Sequence, residues 1–191
     1  MSKNGITSVY TIQHCEEDEW LIPVDPSDYD FLVFDGKPRA SSWKPVAMRR
    51  LKDFGDGLPA RPCDFPCGGS GDSCLIMTEA AKERIDSHMK RYGEFLPLRC
   101  GDGHFWAFHV THVVDALNEG ASNVLRATDD PDLVLMIKKH AFHPEKIAAD
   151  WMFKLPQSHG RGSIYVTDPF VSLIHSSGLT GLKFKRVWPH S

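Results

Sequence analysis

The stretch that most constrains this chain is its last one, SSGLTGLKFKRVW, from Ser176 to Trp188. Chain ends fray unless something ties them down. Gly178 reads as a helix stop and Gly181 as a turn. Leu182 and Phe184 then alternate with Lys183 and Lys185. That alternation is a strand with one face buried and one wet, laid into a sheet. Phe184 is expected in the core and Lys183 on water.

Two helices and several short strands fill in the rest. Thr78 can cap a helix from Thr78 to Tyr92, with Ala81, Ile85 and Met89 on one face and Gly93 as its stop. Thr167 or Asp168 caps a second helix, with Pro169 near its first position and Phe170, Leu173 and Ile174 on its apolar face. Phe95 to Val114 reads as strands broken at Gly101-Asp102-Gly103, because aromatic and β-branched residues suit a pleated surface. Trp151 to Leu155 and Ser163 to Val166 read as a hairpin. Leu133 to Ile137, five apolar residues, fits a central strand better than a short helix. Val9, Ile12 and Phe31 to Phe34 are strand-like islands, with turn chemistry at Asp25-Pro26-Ser27-Asp28. The pattern is α+β, a mostly antiparallel sheet with a few helices packed on it.

At 191 residues the chain fits a single compact domain, with room for a small N-terminal sub-lobe. Residues 1–42 are expected as a strand and loop segment of that domain, and 43–191 as its core. A net charge of −3 speaks against a nucleic-acid partner, which calls for a basic surface. No apolar stretch reaches the eighteen or so residues that a membrane span requires. Five cysteines, an odd count, suit a reducing compartment, so the cytoplasm is expected.

Few residues are arranged for chemistry. Cys63, Cys67 and Cys74 could hold zinc, but C-x3-C-x6-C is not a pair of CxxC knuckles. His109 and His112 on a strand point to opposite faces, and His104 lies roughly 27 Å from His112 at strand rise. No cysteine has a local context that marks it as a nucleophile. No catalytic, cofactor or metal residue is therefore assigned. Trp43, Trp106, Trp151 and Trp188 are read as core. Glu16, Glu17, Asp18 and Glu19 form an acidic run beside Trp20. Such a run is usually a solvated loop, yet an aromatic among acids also suits a protein-binding hot spot. These five are the candidate partner-binding residues.

The blocks Trp151-Met-Phe-Lys-Leu155, Tyr165-Val-Thr-Asp-Pro-Phe170 and Gly178-Leu-Thr-Gly-Leu-Lys-Phe184 with Val187-Trp188 resemble a bacterial family long called a domain of unknown function. Its members are inferred to be immunity proteins of polymorphic toxin systems. Looser matches, at Trp43-Lys-Pro45, Asp53-Phe54, Leu96-Pro97-Leu98 and Asp115-Ala-Leu117, extend the resemblance over most of the chain. It implies a non-enzymatic protein that binds and neutralises a cognate toxin, with no cofactor. The Cys63 to Cys74 loop lies outside the pattern. The rival readings are a small Cys- or His-dependent hydrolase and a zinc-stabilised adaptor built on that loop.

Overall fold

The computed structural model describes residues 8–53, 58–68, 73–159 and 161–189. The fold is α+β. A five-stranded sheet is ordered β2-β3-β5-β6-β4, with β2 Trp20–Pro23, β3 Ala47–Leu51, β4 Leu75–Thr78, β5 Gly93–Cys100 and β6 Gly103–Val110. Its pairings are antiparallel except β3 with β5. A four-stranded antiparallel sheet is ordered β11-β1-β10-β9, with β1 Val9–Gln13, β9 Met152–Phe153, β10 Tyr165–Thr167 and β11 Lys183–Trp188. β7 Asn123–Arg126 and β8 Val134–Lys139 make a separate two-stranded ribbon. The helices are α1 Glu79–Met89, α2 Pro144–Ile147 and α3 Asp168–Ser176.

Each sheet buries apolar side chains on both faces, which is why its strands are so uniformly apolar. The central cluster takes Ile12, Leu75, Met77, Phe108, Met152 and Val166 from the strands, Ala81, Ile85 and Met89 from α1, and Phe170 and Ile174 from α3. The opposite face of the five-stranded sheet carries Leu21, Ile76, Leu96, Phe105 and Ala107 against Leu32 and Phe34. The opposite face of the four-stranded sheet carries Val9, Phe153, Tyr165 and Val187 against Leu117, Phe142 and Ile147. Neighbouring residues such as Ile76 and Met77, or Tyr165 and Val166, thus serve different cores.

The terminal segment is the strand expected of it. Gly178 (φ 63°) follows α3, Gly181 (φ 97°) turns the chain, and β11 pairs along β1 from Gln13 opposite Lys183 to Val9 opposite Trp188. β1, Val9–Gln13, is therefore held between β11 and β10 inside the sheet. One refinement concerns β11. Lys183 and Lys185 are exposed, but Val187 is buried, so that face is wet at one end and core at the other.

α1 has the expected cap, with Thr78 Oγ1 accepting from the Ala81 N–H at 3.2 Å. It ends at Met89, and Gly93 opens β5 opposite Val110 instead of stopping the helix. Two further expectations are corrected. Phe31 to Phe34 is not a strand: Pro26–Leu32 forms a 3-10 helix, because Asp25 caps it by accepting from the Ser27 N–H and Pro26 starts it. The apolar run at Leu133 does form a strand, β8, but on the ribbon and not at a sheet centre. The four tryptophans read as core are each half-buried, lying on the flanks of the three clusters.

Candidate partner-binding site

The acidic run is split by the fold. Glu16 and Glu17 face water, while Asp18 and Glu19 are 1% and 5% exposed. Asp18 Oδ1 accepts from Arg61 Nε at 2.7 Å, and Glu19 pairs with Arg50 of β3. The backbone is pinned as well: the N–H of Glu19 donates to the Arg61 carbonyl at 3.0 Å, and that of Leu21 to the Cys67 carbonyl at 2.9 Å. Trp20 is half-buried at the start of β2, opposite Leu51. Two of the five predicted partner-binding residues are thus committed to holding the chain together.

What the acidic run grips is the Cys63 loop, and the closing glycine block grips the same loop from its other side. Asp64 accepts from the Thr180 N–H and hydroxyl, both at 2.8 Å, and the Phe65 N–H donates to the Thr180 carbonyl at 3.1 Å. Cys63 is half-buried here. Burial, and then the charges of Asp18 and Glu19, push its thiol up to about 12. It stays protonated at neutral pH, which removes the thiolate that a nucleophile requires. Cys74 is buried in the second cluster. Among the described residues no three His, Cys, Asp or Glu side chains are placed to hold a metal ion.

The three histidines of the β6 region diverge. His104 is exposed at the start of β6. His112 lies 3.1 Å from Asp150. His109 is fully buried against Phe34, with ring centroids 4.3 Å apart, and its Nε2–H donates to the Lys37 carbonyl at 2.7 Å. Burial lowers its pKa. Lys154 is also fully buried, donating from Nζ to the Phe34 carbonyl at 3.1 Å, and burial brings its pKa down to about 8. A shifted lysine beside a shifted histidine is the kind of pair that active sites use. Here both are covered, and both bond to carbonyls of the loop at Phe34 to Lys37. The arrangement fastens that loop to β6 and to the segment that follows β9.

Sequence reading missed two surface features. Phe31, 57% exposed, lines an open groove of ≈610 Å³ with Trp43, Arg39 and Arg99, and the Trp43 indole donates to the Pro97 carbonyl at 2.8 Å. The ribbon exposes Leu125, Leu135 and Met136 together, with Leu125 directly across from Met136. The signal for the second was present in the sequence, as an apolar run that ends in Lys138-Lys139.

Among the described residues no helix is long and apolar enough to cross a membrane. No curated protein matches the chain. Residues 99–188, from the end of β5 through β11, match the model of an immunity protein family, Imm11, in agreement with the family that the C-terminal residues resemble.

Proposed function

We propose that this chain is a cytoplasmic immunity protein that binds a cognate bacterial toxin and blocks it by occlusion, with no bond-making chemistry of its own. The observation that carries this reading is the match of residues 99–188 to an immunity protein family. The site chemistry supports it: the Cys63 thiol is held protonated, and the buried Lys154 and His109 fasten a loop. A complex of this kind needs about 1,600 Å² of interface with a few buried apolar anchors. Exposed charge speeds its encounter. Of the acidic run, Glu16 and Glu17 remain outward beside Trp20, available to a basic toxin.

The test is co-expression with the toxin encoded by the adjacent gene, reading survival and co-purification. Survival that depends on this chain, with a stable one-to-one complex, is expected. Cell death at the same rate with and without the chain would overturn the reading.

A further inference from the structure

Resting on that reading, we propose where the toxin docks: an extended toxin segment carrying an acidic side chain adds as a strand to the open edge of β8.

The geometry comes from which residues line the cleft beside the ribbon. Residues 134–137, four in succession, form one wall. Two bulges, opposite Asn123–Val124 and Leu125–Arg126, break the alternation of β8, so successive residues reach the cleft. No residue of β7 lines the cleft, and among the described residues β8 pairs only with β7. The opposite wall is a sheet face, and it does show alternation: Thr11 and Gln13 from β1, Lys185 and Val187 from β11. The cleft therefore lies between a strand edge that can hydrogen-bond and a sheet face that can receive side chains. A peptide bound by strand addition needs these two things. Its volume, ≈340 Å³, falls in the range of small binding pockets.

Charge selects the occupant. Lys185 and His140 are the basic side chains in the lining, which contains no carboxylate, and Lys138, Lys139 and Lys183 flank it. The walls thus favour an acidic side chain on the incoming strand. A second copy of this chain offering its own β8 would bring Val-Leu-Met-Ile-Lys-Lys, two lysines and no acid. The edge is also unusually apolar for one left open. Leu135 and Met136 are 61% and 55% exposed, and lysines guard only its C-terminal end. All lining residues except Thr11 and Gln13 fall within the stretch that matches the immunity family.

The test uses the full chain and the catalytically disabled toxin from the adjacent gene. Hydrogen exchange is compared for the free chain and the complex, and titration calorimetry is run on Met136→Asp and Lys185→Glu. Both positions are exposed, so thermal midpoints should hold and report folding. Slower exchange at residues 134–137 in the complex, with at least tenfold weaker binding by each variant, is expected. A complex that forms while those amides exchange as in the free chain, or variants that bind within twofold of the parent, would overturn the docking site and leave the immunity function standing. No complex at all would bring down both. Sedimentation that shows a dimer of the free chain, lost in Met136→Asp, would assign the edge to a second copy and overturn the proposal.

Discussion

Lys154 and Phe34 lie 120 residues apart in sequence, yet the buried ammonium of one donates to the backbone carbonyl of the other at 3.1 Å. Lys154 belongs to the segment following β9, and its backbone N–H donates to the His112 carbonyl at 2.9 Å. Phe34 lies in the loop that covers the far face of the five-stranded sheet. The contact ties the N-terminal region to the part of the chain that matches the immunity family.

This burial has a pH signature. Lys154 is lowered from 10.5 to about 8 by loss of solvent. Below pH 8 it is charged in both folded and unfolded chains, and the burial cost is constant. Between pH 8 and 10.5 the unfolded chain still holds the proton and the folded chain releases it, so stability rises with pH. Cys63 works the other way above pH 9, because its folded thiol stays protonated to about 12. Comparison with Lys154→Met isolates the lysine. The parent should gain on the order of 3 kcal/mol relative to Lys154→Met across that interval, measured by urea unfolding. Parallel pH profiles for the two proteins would show that the ammonium is not buried.

The closing glycines should differ in cost. At Gly178 (φ 63°) an added Cβ meets nothing within 4 Å, so alanine pays only for the left-handed backbone, about 1–2 kcal/mol. At Gly181 (φ 97°) a Cβ would lie 2.6 Å from the Phe65 carbonyl oxygen and 3.1 Å from Cys63 Sγ. Gly181→Ala should add about 1–3 kcal/mol of overpacking to the same backbone strain. Equal melting temperatures for the two variants would mean that the Cys63 loop does not pack on this turn.

How much of this was legible in the sequence depends on how local each signal was. α1 was readable because its cap and its apolar face lie within twelve residues, Thr78 to Met89. The terminal strand was readable from its own alternation. The 3-10 helix at Pro26 was missed because the apolar run at Phe31 outweighed the Asp-Pro start just before it. The inward turn of Asp18 and Glu19 could not be read, since their partners Arg61 and Arg50 lie 43 and 31 residues away. Lys154 lies within the run read as a hairpin strand, and its partner, the Phe34 carbonyl, lies 120 residues away, beyond any local signal. The apolar run at Leu133 has the composition of a buried strand, and only the topology reveals it as an open edge.

On β11, Phe184 is half-buried, meeting Phe170 and His175 edge-on with centroids 6.0 and 5.7 Å away. Its loss should therefore fall below the 3–5 kcal/mol typical of a fully buried phenylalanine. Phe184→Ala is expected to cost about 2 kcal/mol, and Lys183→Ala, on the exposed face, within about 0.5 kcal/mol. Chemical denaturation of both variants checks the strand phase, which equal losses would contradict.

The acidic run gives a graded series, because its three ion pairs differ in how wet the abandoned partner would be. Removing one member of a buried pair is costly when the other charge stays buried. Arg50 is 22% exposed, so Glu19→Ala leaves it poorly hydrated and should cost about 2–3 kcal/mol. Arg61 is 60% exposed and can rehydrate, so Asp18→Ala should cost less, about 1–2 kcal/mol. Glu17, itself 82% exposed and 3.8 Å from Arg61, should be replaceable within about 0.5 kcal/mol. The order Glu19, Asp18, Glu17 in thermal denaturation is the expected result, and added salt should leave the Glu19 effect largely unchanged, because that pair is covered on both sides and weakly screened. If Glu17→Ala proved as damaging as Glu19→Ala, the division of the run into an inward half and an outward half would be wrong, and the outward half could no longer be assigned to a partner.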